Sequence, residues 1–401
     1  MASVGYNYSA EEIHHVLRRR PRGRLASKSR RRKPFSLTSA CGFIVQHQLS
    51  ISLTILALLA WASVVFPSRH THNLYTLSHY DEPSQSYTPG RDDWAYVLPW
   101  LFVFTGLRSA VMDYVLRPLA IRGGVRKPVA LERFSEQGWL AIYYTLSFGA
   151  GMYLWTTSKY WLNLRELWTD FPDTAMSASM KRYYLIQYAF WIQQILVINI
   201  EKRRKDYWQM LTHHLITCAL IFTSYGFYMT RVGNAILCLM DFADIILSTA
   251  KVLRYLAYQT ACDVAFGIFI AAWFITRHIF FPMVVWSVWA HLPVEMPLGC
   301  YDTTTRQKTS QPKATSISQY VQPFQDPGGI VCFDSLVHWW FLGLLSTLLC
   351  ILLVWFVMII NVAWRVISGL GSDDPRSDDE DDMDDEDVVP NEKNRGEKLA
   401  S

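Results

Sequence analysis

Charged residues are scarce in this chain of 401 residues. Asp, Glu, Lys and Arg make up 18% of the sequence, against about 25% in an average soluble domain. Hydrophobic residues reach 51%. Much of the charge lies at the two ends, so the middle of the chain is more apolar than these averages. This composition excludes a soluble globular enzyme and a disordered regulator, and it indicates a membrane protein with several spans.

Features typical of other protein classes are also missing. The seven cysteines show neither a CxxC motif nor a metal-ligand spacing, and the composition excludes a secreted disulfide scaffold. No internal repeat is visible. The polar N-terminal stretch is followed by an apolar run longer than the ~7–15 residues of a signal peptide core. We therefore expect no cleaved signal peptide.

The two ends of the chain carry opposite charges. Residues 18–33 contain ten Lys or Arg, and residues 373–387 contain eleven Asp or Glu. Neither segment can bury a core, so we interpret 1–43 as a basic arm and 369–401 as an acidic tail. A basic segment just before a membrane span more often contacts anionic lipid than nucleic acid. We therefore expect membrane lipid as a partner, and no nucleic acid.

Eight segments are long and apolar enough to cross a bilayer, which takes about 20 residues. They are 44–66, 94–116, 139–158, 182–200, 207–229, 232–250, 263–289 and 336–364. We predict an all-α polytopic membrane protein whose helical bundle encloses an intramembrane site. The first two spans lie in 44–130, and the other six form a domain over 131–368.

Basic residues in the short loops predict the orientation of the chain. The short loops on the side of the basic arm hold eleven Lys or Arg, and those on the opposite side hold six. By the positive-inside rule the first side is cytosolic, so both termini are expected in the cytosol. The long loop 290–335 would then face the lumen. It contains Cys300 and Cys332, for which we predict a disulfide in that oxidising compartment.

Ionisable residues inside a bilayer are costly and are functional candidates by default. His213 and His214 are adjacent in the fifth span, while Asp241 and Asp244 share one face of the sixth. An imidazole oriented by a carboxylate can act as a general base or a nucleophile in acyl transfer. The alternative is that His–Asp hydrogen bonds only hold the spans together. We favour the catalytic interpretation, with all four residues as candidates.

A second group of polar residues is predicted to bind substrate. Arg277 either contacts a substrate carbonyl or carboxylate group, or pairs with one of the two aspartates of the sixth span. The complete predicted set is Arg277, His278, Tyr225, Asn234 and Ser248.

The sequence also contains one basic loop, and its histidines bear on whether a metal is bound. The loop is either a positive-inside anchor or a site for the phosphates of a cofactor such as coenzyme A. Its residues are Lys202, Arg203, Arg204 and Lys205. A metal centre is disfavoured because one His-His pair lies within a span and no HxxHH motif occurs. We therefore predict no metal.

Three segments carry a family resemblance. RRKDYWQMLTHHLIT (203–217), SYGFYMTRVGNAI (224–236) and MDFADIILSTAK (240–251) together resemble the signature of ceramide synthases, the longevity-assurance family. The region 131–368, opened by RFSEQGWLAIYY (133–144), resembles the TLC domain of that family. The chain has a basic arm and lacks the homeobox-like insert of many animal members, so the resemblance is to a fungal catalytic subunit.

The resemblance implies an activity and a location. Ceramide synthases transfer a fatty acyl group from acyl-CoA to the amine of a sphingoid base in the endoplasmic reticulum membrane. It implies acyl-CoA as a co-substrate without any permanently bound cofactor. The essential histidines of the family fall on His213 and His214, and its acidic pair falls on Asp241 and Asp244. Dimerisation with itself or a paralogue and a small single-span accessory subunit are also implied.

The family resemblance is compatible with two versions of the mechanism. The histidine either deprotonates the amine or is itself acylated first, and we favour His213 as the reacting residue. Ser372 and Ser377, each followed by acidic residues, are predicted sites for an acidophilic kinase. The competing function is that of TLC-domain proteins that sense or transport lipids without acyltransferase activity.

Overall fold

A computed structural model describes residues 37–201, 205–309, 318–325 and 329–368 of the chain. The chain divides into two units, residues 1–40 and 41–401. Of the first unit, only the start of one helix is described. The described part of the second unit is almost entirely helical. The predicted sites at Lys202, Arg203, Arg204, Ser372 and Ser377 lie outside the described residues.

Fourteen α-helices are formed by the described residues. They are α1 Leu37–Gln46, α2 Gln48–Val65, α3 Arg69–His72, α4 Asp93–Val111, α5 Arg117–Arg122, α6 Pro128–Thr156, α7 Ala178–Ile200, α8 Tyr207–Gly226, α9 Thr230–Tyr255, α10 Gln259–Trp273, α11 Phe281–Ala290, α12 Leu292–Glu295, α13 Ser318–Gln325 and α14 Ser335–Ile367. Short π-helical segments, Met112–Leu116 and Phe274–Phe280, continue α4 into α5 and α10 into α11.

Local sequence signals explain where the long helices begin. Pro128 opens α6, a position at which the missing amide hydrogen of proline has no cost. The Ser177 hydroxyl caps α7 by accepting from the amide of Met180 at 3.2 Å. The Asp334 carboxylate caps α14 by accepting from the amide of Val337 at 3.0 Å. Such side-chain caps satisfy amides at a helix start that have no partner within the helix.

Four helical stretches within the described residues are long and apolar enough to cross a membrane. They are Gln48–Val65, Asp93–Arg122, Gln259–Glu295 and Ser335–Ile367. The other four predicted spans form helices α6, α7, α8 and α9, which have sufficient length but a more polar composition. The chain is therefore a mostly helical, multi-pass membrane protein whose most polar helices are those that carry the predicted site.

The polar helices pack against one another at the centre of the molecule. Helix α9 packs along α6 and α10, and α7 lies between α4 and α8. Helix α14 packs against α8 and α11. Aromatic rings fill the space among α4, α6 and α7, where Phe104, Tyr143 and Phe190 contact one another. This packing places α8 beside α7, α9 and α14.

Short strands occur only in connecting loops of the described residues. Strand β1 (Tyr80–Asp81) pairs with β2 (Ser86–Tyr87). A three-stranded antiparallel sheet has the order β4-β3-β5, with β3 at Gly299–Asp302, β4 at Lys308–Thr309 and β5 at Ile330–Phe333. Cys300 of β3 lies opposite Cys332 of β5, and their Sγ atoms are bonded in the structure.

Candidate active site

The adjacent histidines of α8 line one large cavity. This cavity has a volume of about 350 Å³ and runs between α6, α7, α8, α9 and α14. The Trp191 ring contacts the imidazoles of both His213 and His214, with centroids at 5.8 and 5.3 Å. The Trp355 ring of α14 lies 5.2 Å from that of His213. Both imidazoles therefore face the cavity from within an aromatic wall.

The two imidazoles are held differently. Nδ1 of His214 lies 2.6 Å from the backbone oxygen of Met210. A carbonyl oxygen only accepts, so Nδ1 carries the proton and Nε2 of a neutral His214 presents its lone pair. Nδ1 of His213 is buried and has no hydrogen-bond partner among the described residues. Among the described residues neither imidazole is hydrogen-bonded to Asp241 or Asp244, so the His–Asp contact that the sequence predicted is not formed.

Asp244 and Arg277 form an ion pair on the cavity wall. Nη2 of Arg277 donates to Oδ1 of Asp244 at 2.9 Å, and also to the backbone oxygen of Met240 at 3.0 Å. The guanidinium lies over the Trp273 ring, 4.1 Å from its centroid. Of the alternatives considered for Arg277, the structure thus shows pairing with Asp244. Both side chains remain part of the cavity lining.

Arg277 reaches this position from a π-helical segment. The segment Phe274–Phe280 interrupts one long helix, and π-bulges of this kind are frequent at functional sites. Arg277 is 3% exposed as a side chain. Its cation is therefore compensated inside the protein by the Asp244 carboxylate, the Met240 carbonyl and an aromatic face.

Asp241 belongs to a different polar cluster. Its Oδ2 accepts a hydrogen bond from the Ser147 hydroxyl at 2.5 Å. Gln187 donates to the same hydroxyl and accepts from Tyr143 at 2.6 Å. Among the described residues that line the cavity, Asp244 is present and Asp241 is not. Asp241 therefore ties α9 to α6 and α7 behind the cavity wall.

The remaining predicted substrate-binding residues are spread over several environments. Ser248 is buried and lines the cavity. Asn234 accepts from the Tyr160 hydroxyl at 3.0 Å and lies outside the cavity lining. The Tyr225 hydroxyl donates to Oδ2 of Asp93 at 2.6 Å. His278 packs against the Phe356 ring with centroids 4.5 Å apart. The structure thus brings only Ser248 and Arg277 of this set to the cavity.

The two ends of the cavity differ in chemistry. One, here called the basic end, is lined by Arg108, Arg133, Glu201, Asp206, Lys251 and Arg254. The other, here called the far end, is lined by Trp168, Tyr184, Ser224, Met229, Gly233 and Phe341. The basic end includes two ion pairs, Arg108–Glu201 at 2.7 Å and Arg133–Glu136 at 3.1 Å. The cavity lining is thus charged near the start of α6 and the ends of α7 and α9. It is largely apolar near the end of α8 and the start of α9.

Sequence reasoning did not single out several residues that build this site. Trp191 and Trp355 enclose the histidines, although tryptophans in membrane proteins are usually assigned to the bilayer interface. Gln187 and Ser147 were also missed, and the available signal was an amide and a hydroxyl inside otherwise apolar helices. In the described part of the chain, no cluster of three or more His, Cys, Asp or Glu side chains could hold a metal ion.

Comparison with known proteins identifies the family. The TLC domain family matches residues 133–361. The sphingosine N-acyltransferase-like protein ALT7 of Alternaria alternata is 46% identical, over 85% of this chain and 77% of that protein. Sphingosine N-acyltransferase lag1 of Schizosaccharomyces pombe is 39% identical, over 86% and 82%. Ceramide synthase FUM18 of Gibberella moniliformis is 35% identical, over 86% and 81%. The chain belongs to the ceramide synthase family.

Membership of the ceramide synthase family confirms the resemblance that the sequence segments carried. The matched region contains most of α6, all of α7 to α13 and most of α14. It thereby includes the histidine pair, the Asp244–Arg277 ion pair and the walls of the cavity between them.

Proposed function

We propose that this chain is a ceramide synthase that transfers a fatty acyl group from acyl-CoA to the amine of a sphingoid base such as dihydrosphingosine or phytosphingosine. The observation that carries the proposal is that one cavity contains both His213 and His214 and has a basic end and an apolar far end. An acyl-CoA presents the matching order of groups, with its phosphates first, then its thioester and then its tail. The names of the curated relatives support the same activity.

The reaction requires one bond to form and one to break. The amine nitrogen attacks the thioester carbonyl carbon, so that a C–N bond forms and the C–S bond breaks. The amine proton passes to an imidazole, and the leaving thiolate takes up a proton. In the two-step version the imidazole nitrogen attacks the thioester first, and the amine then displaces it. Both versions need a neutral imidazole beside the thioester.

Within the pair, we assign the reacting role to His213. Its Nδ1 has no partner among the described residues, so it is not committed to a structural hydrogen bond. His214 is held by the Met210 carbonyl and packs on the same Trp191 ring. We therefore assign His214 a positioning role beside His213. Asp244 and Arg277 contribute a paired charge to the cavity wall beside them.

The basic end is proposed to bind the phosphates of CoA. Arginine and lysine are the natural partners of phosphate groups, and Arg133, Lys251 and Arg254 line this end. Glu201 and Asp206, the described residues that flank the basic loop, line it as well. We propose the same role for the loop residues Lys202, Arg203, Arg204 and Lys205. Lys205, the one of these four that the structure describes, is exposed and is not among the residues that line the cavity.

The proposal extends to the membrane arrangement. Helices α6 to α9 would complete eight spans with the four apolar stretches, with both termini on the cytosolic side of the endoplasmic reticulum membrane. The basic end then faces the cytosol, where acyl-CoA is available. Dimerisation and a small single-span accessory subunit belong to the same proposal.

The test uses membranes containing the full chain, dihydrosphingosine and acyl-CoAs of graded length, with the products identified by mass spectrometry. His213→Ala and His214→Ala are compared with His70→Ala, because His70 is an exposed residue of α3 that does not line the cavity. We expect N-acylated base from the wild type and from His70→Ala. Each cavity variant should lose most of the activity while still inserting into the membrane.

The outcomes separate the competing functions. Wild-type activity in His213→Ala would remove that residue from the mechanism. A well-inserted wild type that yields no product, alone or with candidate accessory subunits, would favour a lipid sensor or transporter.

A further inference from the structure

Three helices meet at the far end of the cavity around one tyrosine. The hydroxyl of Tyr184, on α7, lies 2.5 Å from the Ser224 hydroxyl of α8. Ser224 in turn donates to the backbone oxygen of Ile221 at 3.1 Å, so Tyr184 is the donor to Ser224. On the α9 side, a Cβ atom at Gly233 would lie 1.7 Å from the Tyr184 hydroxyl oxygen. Only glycine at position 233 permits this close approach.

These contacts hold the ring in one position. Tyr184 is 1% exposed, and its ring stacks on that of Tyr225 with centroids 5.8 Å apart. The hydrogen bond to Ser224 fixes the hydroxyl, and the Gly233 backbone blocks movement towards α9. Because both its ring and its hydroxyl are held by neighbours, the Tyr184 side chain behaves as a rigid part of the cavity wall.

A second, smaller cavity lies on the other side of this tyrosine. Its volume is about 40 Å³, and Tyr184 and Ile221 line both cavities. Its other walls are mostly apolar and include Val97, Leu185 and Phe222. The two cavities are therefore separated by the side chains of Tyr184 and Ile221.

We infer that Tyr184 limits the length of the acyl chain that this site accepts, with Ile221 as the second residue of the same wall. The inference rests on the proposed acyltransferase function. With CoA at the basic end and the thioester at His213, the acyl tail runs onward to the far end. Along α8, His213 and Ser224 are roughly three turns, or about 16 Å, apart. The tail then meets the Tyr184 ring, and longer tails have no straight path.

Methylene-level selectivity follows from this arrangement. A single methylene that does or does not fit an apolar site changes specificity by about tenfold or more. Shortening Tyr184 to alanine would open the small cavity to the main one and lengthen the path. Tyr184→Phe keeps the ring and removes only the hydroxyl, so the wall remains.

The experiment measures N-acylation rates in membranes for a series of acyl-CoAs with one sphingoid base, and then for a series of bases with one acyl-CoA. The variants are Tyr184→Ala, Tyr184→Phe and Ile221→Ala. Tyr153→Ala is the matched control, because Tyr153 is 66% exposed on α6. We expect Tyr184→Ala to raise the rate ratio of longer over shorter acyl-CoAs by about tenfold. Ile221→Ala should shift the ratio in the same direction, and Tyr184→Phe should shift it less than Tyr184→Ala because the ring remains. Tyr153→Ala should keep the wild-type profile.

Each outcome bears on the inference. An unchanged acyl-length profile in both Tyr184→Ala and Ile221→Ala would overturn it, as would a shift confined to the base-length series. If Tyr184→Ala fails to insert, Ile221→Ala alone decides. Absence of N-acylated product from a well-inserted wild type, both alone and with candidate accessory subunits, would instead count against the proposed function itself.

Discussion

The candidate site of this protein contains a few polar residues whose environments differ sharply. His213 and His214 are neighbours in sequence, yet only His214 has a hydrogen-bond partner for Nδ1 among the described residues. Asp241 and Asp244 are one helical turn apart, yet one faces a hydroxyl cluster and the other an arginine. Residues of the same type in one motif are thus given separate roles by what packs against them.

The Asp244–Arg277 ion pair is expected to show energetic coupling. Asp244→Asn leaves a buried guanidinium without its carboxylate, and Arg277→Met leaves the carboxylate without its cation. Each single change should destabilise the protein, and the double variant should lose less than the sum, with a coupling energy of about 1–3 kcal/mol. Thermal or denaturant unfolding in detergent measures the cycle. Strictly additive effects would show that the two side chains do not interact in solution.

The sequence predicted several of the polar residues that line the cavity, but it did not predict their contacts. Buried His and Asp are costly in a bilayer, so their presence was informative without a structure. Asp241 and Ser147, by contrast, are 94 residues apart in sequence, and no local pattern predicts that contact. The same holds for Trp355, which reaches His213 from the last helix.

At the scale of helices, periodicity and length predicted the elements but not their ends. Most of the predicted segment 139–158 lies in a helix that begins eleven residues earlier, at Pro128, and ends at Thr156. Amphipathic turns outside an apolar run are invisible to a hydropathy criterion, so the extension was missed. Arg277 and His278, two polar residues within the predicted segment 263–289, lie in a π-helical segment of a continuous helix and do not break it.

The loop sheet between α12 and α14 is expected to contain a disulfide. Cys300 and Cys332 face each other across paired strands, 32 residues apart in sequence. In the chain-entropy account a loop of this length contributes about 3–4 kcal/mol. Tagging with a thiol-reactive polymer after denaturation should modify two fewer cysteines in the unreduced protein than in the reduced protein. Cys300→Ser should remove that difference, and equal tagging with and without reductant would contradict the prediction.

For the whole molecule, four helical stretches of the described residues are apolar enough to cross a membrane, and the eight spans are our proposal. Helix α2 is apolar, yet Ser52 is its one buried residue in the described chain. A helix with so much exposed apolar surface is stable only where lipid covers it. The more polar helices α6 to α9 instead bury their polar residues against one another and around the cavity. The lower hydropathy of these helices thus follows from the polar residues that they bury inside the protein.

Glycosylation mapping tests the resulting orientation. Gln307 is exposed in the loop between β3 and β4, and Gln307→Asn creates an Asn-Lys-Thr acceptor without altering a buried residue. The natural acceptor Asn7-Tyr8-Ser9 lies in the basic arm. If both termini are cytosolic and the loop 290–335 is lumenal, only the Gln307→Asn protein should carry a glycan that an endoglycosidase removes.

Asn7→Gln, added to the Gln307→Asn variant as a control, should leave its gel mobility unchanged. A glycan on the unaltered chain that Asn7→Gln removes would place the basic arm in the lumen. The basic end of the cavity would then lie away from cytosolic acyl-CoA.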